Sequence, residues 1–254
     1  MIYNEINNKK NRWIILIHCV CGNENIFNQQ IDMLSKHYNI AVIRLAGHEF
    51  ECDIKKATFD AVIEDIHEFV LKKGNKVDVL GVSIGAMIAT KYILKYPEDV
   101  SKIYAIGNIY GFSIPFFKTG YILLDKVKKI LPRKVYMYFI TKVILPGKSQ
   151  KEQRKNLYEN SRKMKKEFLY SWMHEMALFI INGQNYFEQT LKNISKISLI
   201  YGKRDNVFLG WVKTRCQNNI IHIVKGAGHL CNMDNPSLVN IIIEEGFHES
   251  ISDT

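Results

Sequence analysis

Short, uninterrupted apolar runs alternate with amphipathic helical patterns along most of the chain, and this alternation leaves few folds open. The runs RWIILIH (12–18), NIAVIRL (39–45), KVDVLGV (76–82), VSKIYAIG (100–107), KISLIYG (196–202) and NIIHIVK (219–225) lack polar alternation. Parallel strands covered on both faces read this way. Helical patterns separate them: around FNQQIDMLSKHY, from Ala57 to Lys73, from Ile84 to Tyr96, near WVKTRCQ and after Pro236. Strands joined through helices form right-handed βαβ units, so the expected class is α/β with one mostly parallel central sheet and flanking helices. The rhythm breaks between residues 109 and 195. FFKTGYILLDKVKKIL, KVYMYFITKVIL, SQKEQRKNLYENSRK and KEFLYSWMHEMALFII are helical patterns, punctuated by Pro132, Pro146 and Gly147. The expected organisation is a core of residues 1–108 and 196–254, with 109–195 inserted as a helical cap over the strands' carboxyl edge.

The stretch VDVLGVSIGAMIAT (77–90) places Ser83 between Gly81 and Gly85 where an apolar strand stops and a helix begins. A very tight strand-to-helix turn strains its central residue and tolerates only small neighbours two positions away. That is the G-x-S-x-G nucleophile elbow. In an open α/β sheet, ligands bind beyond the carboxyl ends of the strands, and the elbow points there. A serine needs a base, and the base needs an orienting acid. For this elbow the chain order is Ser, acid, His. SLIYGKRDNVF supplies Asp205 and KGAGHLCNMDNP supplies His229, each in a loop after a late strand. His222 lies inside a strand, where a structural role is expected. Asn108, at the other position where such folds carry the acid, is not a carboxylate.

LIHCVCGN, GVSIGA, YGKRDNVF and KGAGHLCNMDNP together resemble the signature segments of the α/β-hydrolase superfamily, closest to its capped, single-domain esterase-like members. The resemblance implies acyl transfer to water through an acyl-enzyme on Ser83, with His229 as base then acid and Asp205 holding the imidazole. It further implies an oxyanion hole made of backbone N–H groups, one from Ile84 and one from the loop after the first central strand. There the usual His-Gly-x reads His18-Cys19-Val20, so the donor carries over to Val20, with Cys19 as fallback. RLAGHEFE keeps a family-like Gly47-His48 but lacks the usual serine beyond it, and the N-terminal antiparallel hairpin is reduced to MIYNEI.

Composition narrows the partners. Residues 118–166 hold 15 Lys and Arg against 3 Asp and Glu, a net of +12, whereas the whole chain is +10 and the remainder therefore −2. The basic charge belongs to the insertion. It reads either as a solvated helix face or as a surface for an anionic substrate, an acidic carrier protein or an anionic membrane surface. No nucleic-acid-binding motif accompanies it, so nucleic acid is not an expected partner. Aromatic residues of the insertion (Phe116, Phe117, Tyr121, Tyr136, Tyr138, Phe139, Phe168, Tyr170 and Trp172) are expected mostly in helix packing, with some lining an apolar acyl pocket. Five scattered cysteines suggest free thiols in a reducing cytoplasm. Lys9, Lys10 and Arg12 before WIILIHCV imitate a secretion signal, but the run is short and no small-residue cleavage site follows. Cys19, Cys21 and Cys231 lack metal-ligand spacing, so neither a metal nor another cofactor is expected. The expected activity is a serine hydrolase of the carboxylesterase or thioesterase type, on a small ester or thioester with an apolar acyl group. The alternatives are a hydrolase-fold small-ligand binding or signalling protein with little turnover, or a C–C bond hydrolase or lyase on the same scaffold.

Overall fold

The computed structural model describes residues 3–48, 53–145, 147, 150–216 and 220–252; Cys52 and the expected helix breaker Pro146 lie outside them. Seven strands form one sheet: β1 (Tyr3–Ile6), β2 (Trp13–Ile17), β3 (Asn39–Ile43), β4 (Val77–Val82), β5 (Val100–Ile106), β6 (Ile197–Gly202) and β7 (Ile221–Val224). Their order is β1-β3-β2-β4-β5-β6-β7, and every pairing is parallel except that of β1 with β3. The expected reduced hairpin is thus a single strand, and it pairs with β3 rather than with its chain neighbour.

Both faces of the sheet are covered, which is why its strands are apolar at successive positions. Ile15, Ile17, Ala41, Ile43 and Val79 join one core cluster, while Ile14, Leu16, Ile40, Val42 and Leu80 join another. On the first face lie α2 (Phe59–Lys73) and α3 (Ile84–Lys95). On the second lie α1 (Asn28–Leu34) and, after the short α10 (Cys231–Asp234), the closing α11 (Pro236–Ser252). Thr58 starts α2 by accepting from the Ala61 N–H, and Gly74, at φ +73°, ends it. The helix expected near 211–217 lies earlier, as α9 (Asn206–Lys213), because Val207, Phe208, Trp211 and Val212 form its buried stripe directly after Asp205.

Among the described residues, the chain between β5 and β6 is helical: α4 (Pro115–Val127), α5 (Arg133–Ile144), α6 (Lys151–Lys163), α7 (Lys166–Ile181) and α8 (Gly183–Lys192). Helices α7 and α8 pack on α3, α4 packs on α7, and α5 packs on α6. Trp172 ties α7 to the core, its indole N–H donating to the Ala46 carbonyl at 2.8 Å. No described helix is long and apolar enough to cross a membrane.

Candidate active site

The carboxyl ends of β4, β6 and β7 bring three sequence-distant side chains together. Ser83 sits at φ +56°, ψ −112° between β4 and α3, and its N–H donates to the Ile106 carbonyl at 2.8 Å. A side chain is rarely held at positive φ, and the glycines explain how this one is. A Cβ on Gly81 would come within 2.3 Å of the Gly85 carbonyl oxygen, and one on Gly85 within 2.0 Å of that of Ile17. The turn closes only if both positions are bare. Ser83 does not cap α3 with its own hydroxyl, which is turned instead toward His229.

The Ser83 Oγ–H donates to His229 Nε2 at 3.0 Å, and His229 Nδ1–H donates to Asp205 Oδ2 at 2.8 Å. All three residues are buried. Asp205 leads into α9, with its N–H on the Gly202 carbonyl. The Gly228 N–H donates to Asp234 Oδ2 at 2.7 Å, which fixes the loop before His229. Gln153 of α6 donates to the other oxygen of Asp234, so the insertion holds the histidine loop as well. Asn108 serves structure: its amide donates to Thr90 Oγ1, and its carbonyl accepts from Tyr201. His222 lies within β7, opposite Ile200.

The loop after β2 is braced by two histidines, His18 and His48, whose pairing nothing in the sequence announces. Residues 19–22 form a tight turn, with Cys21 at φ +55° and the Gly22 N–H on the Cys19 carbonyl. The Cys21 N–H donates to His48 Nε2 at 2.9 Å. The Leu45 N–H donates to His18 Nε2 at 3.3 Å, while His18 Nδ1 faces the Cys19 carbonyl at 2.8 Å. The two rings meet edge to face at 4.8 Å. Burial, followed by the neighbouring His18, lowers the His48 pKa to about 3, so His48 is neutral and free to accept. Burial also pushes the Cys19 thiol up to about 12 and raises those of Cys21 and Cys231. Buried, protonated cysteines are packing groups rather than nucleophiles. Among the described residues, no group of three or more His, Cys, Asp or Glu side chains is gathered as metal ligands would be.

Ser83 and His229 open onto a cavity of about 390 Å³ whose apolar walls are Val20, Ile26, Ile144, Leu145, Leu157, Leu230 and Met233. Asn23, Asn25, Gln153, Asn156, Asn160 and Lys163 add polar lining. Val20 is therefore at the cavity, and Ile84 begins α3 directly after Ser83. None of the insertion's aromatic residues is among the cavity's described lining, contrary to expectation. They are used elsewhere: Tyr121 bonds to the Met173 carbonyl and Tyr136 meets Tyr170 edge to face, while Phe116, Tyr138 and Phe139 face solvent.

Comparison with known proteins agrees with this architecture. The family model for the alpha/beta hydrolase fold matches residues 12–236. A pimeloyl-[acyl-carrier protein] methyl ester esterase of Aliivibrio fischeri is 29% identical over 100 residues, spanning 39% of this chain and only 38% of that protein's length. Among solved structures, MenH from S. aureus superposes with a TM-score of 0.76 at 14% identity, covering 98% of each chain. A structure from a study of carboxylesterases of Nitrososphaera gargenis gives 0.75 at 19% identity, covering 100% of this chain and 96% of its own.

Proposed function

The chain belongs to the α/β-hydrolase fold family, and from that footing we propose that it is a serine hydrolase cleaving a carboxylic ester or thioester with an apolar acyl group. The observation that carries this reading is the continuous hydrogen-bonded chain Ser83–His229–Asp205 beside an apolar cavity. Ser83 Oγ attacks the acyl carbon while His229 Nε2 takes its proton, and Asp205 holds the imidazole in the tautomer that leaves Nε2 free. The tetrahedral oxyanion is held by the N–H groups of Ile84 and Val20. Ile84 supplies one of the amides that a helix cannot pair internally at its N-terminus. Val20 is favoured in its loop because the amides of Cys21 and Gly22 already donate within the structure. Collapse of the intermediate expels the alcohol or thiol, protonated by His229. Water, deprotonated by the same histidine, then frees the acid and restores Ser83.

In this reading residues 109–195 act as the cap and residues 1–108 and 196–254 as the core, and the cavity's size suits a small to medium acyl group. An acyl group borne by a carrier protein is one substrate form to include, because the curated relative is named for such an ester. The unpaired cysteines among the described residues favour the cytoplasm as its compartment.

Labelling with a fluorophosphonate probe, together with turnover of p-nitrophenyl esters and acyl thioesters of graded chain length, tests the assignment. Ser83→Ala should abolish labelling and lower turnover by about 10⁴ to 10⁶, with His229→Ala close behind and Asp205→Asn milder. Unchanged circular dichroism would show that the fold survives. Persistent labelling of Ser83→Ala would remove it as the nucleophile. A folded wild type that takes up ligand yet never labels would instead be a binding protein on this scaffold.

A further inference from the structure

Two kinds of surface group concentrate on the same helices of the insertion. Of the thirteen large apolar side chains exposed among the described residues, nine lie between residues 114 and 181. Phe116 and Leu123 share one side of α4, seven residues apart, and Ile130 follows at the same interval in the turn before α5. Phe116 is 78% exposed and Ile130 83%. On α5, Val135, Tyr138, Phe139 and Lys142 form a second exposed face, at the i, i+3, i+4, i+7 spacing of one helix side. Exposed apolar side chains aligned in rows and rimmed by polar residues are one form that an interaction surface takes.

The second group is cationic. A groove of about 240 Å³ runs between α5 and α6, with Met137, Tyr138 and Tyr158 among its lining. Lys134, Lys142, Lys151, Arg154 and Lys155 also line it, and no carboxylate does among the described lining residues. Arg154 is committed to the Leu145 and Gly147 carbonyls, and Lys155 lies 4.0 Å from Glu159. Lys142 lies over the Tyr138 ring, which links the groove to the apolar face of α5. Helix α6 divides groove from cavity: Lys151, Lys155 and Tyr158 face the former, and Gln153, Leu157 and Asn160 face the latter. The two sites are thus about one helix diameter, roughly 10 Å, apart.

We propose that the α4–α5–α6 face of the insertion docks on an anionic phospholipid surface. The groove between α5 and α6 takes headgroup phosphates, and Leu123, Ile130 and Phe139 enter the outer acyl layer. Charge alone would serve an acidic protein equally well, but exposed aliphatic and aromatic side chains beside lysines fit the boundary between headgroups and acyl chains. This docking goes beyond the hydrolase reading and is tested without it.

The test is co-sedimentation with vesicles of phosphatidylcholine alone and of phosphatidylcholine mixed with phosphatidylglycerol. Wild type should bind the mixed vesicles and leave the neutral ones. Replacing Lys142, Lys151 and Lys155 by Gln should weaken that binding on the order of 100-fold. Leu123→Ser, Ile130→Ser and Phe139→Ser together should weaken it at least about tenfold. Both triple variants should keep the wild-type circular dichroism and elute as wild type does on gel filtration. Failure of wild type to bind mixed vesicles would overturn the proposal, whether or not an acidic carrier protein binds. So would an apolar triple variant that binds as wild type does, because the surface would then be only electrostatic.

Discussion

His48 shows how much one buried side chain contributes by holding a loop in place. Its Nε2 accepts the Cys21 N–H only while the ring is neutral, and burial with His18 nearby keeps it so down to about pH 3. In the unfolded chain a histidine titrates near 6.5. The folded pKa is lowered, so between these values the unfolded state binds the extra proton and stability falls as pH falls. From pH 7 to pH 5 the loss from this residue should be about 2 kcal/mol. Gln in place of His48 offers an acceptor that does not titrate. Denaturant unfolding at the two pH values should therefore show a drop smaller by that amount in His48→Gln than in wild type. Equal drops would mean that His48 is already protonated in the fold. The pairing of His18 with His48 is not legible in the sequence, because two loops from different strands must meet before either ring has a purpose. Ser83, Asp205 and His229 are legible because each follows a strand that delivers it to the same sheet edge.

At the scale of elements, the elbow is the least forgiving joint. A methyl group on Gly85 would meet the Ile17 carbonyl oxygen at 2.0 Å, backbone against backbone, so β2 or α3 must shift. Gly74, also conformationally demanding at φ +73°, has open space where its Cβ would go. Chemical denaturation should therefore separate two identical substitutions. Gly74→Ala should cost about 1 kcal/mol from left-handed strain alone, and Gly85→Ala about 3 kcal/mol or more. Similar costs would mean that the elbow can relax. The strands are readable to within a residue or two because burial on both faces removes any polar alternation. The helices of the insertion are harder to read. Helix α8 is mostly polar and begins at Gly183, directly against the Tyr110 backbone, so a pattern of apolar residues ends at Ile181 without announcing it. The insertion's aromatic residues mislead for a related reason. Composition reveals how many there are, whereas which ones face a cavity is decided by how the helices turn.

Across the whole molecule, charge is divided: the net +12 of residues 118–166 faces a remainder of −2. Such a field should speed encounter with anionic partners, and salt should screen it beyond a Debye length of about 8 Å near physiological ionic strength. Raising salt should leave kcat/KM for a small neutral ester nearly flat and lower it steeply for an acyl group presented on an acidic carrier or within anionic lipid. Parallel salt profiles would reduce the basic charge to a solvated surface. The sheet itself is also divided, since the pairing of β5 with β6, Ile103 beside Ile197, spans the whole insertion. Contacts this far apart along the chain close late and slowly during folding. Ser83 and His229, 146 positions apart, lie on opposite sides of that closure. During refolding, then, helical signal should return first, and reactivity at Ser83 should mark the moment at which the last third of the chain has joined the first.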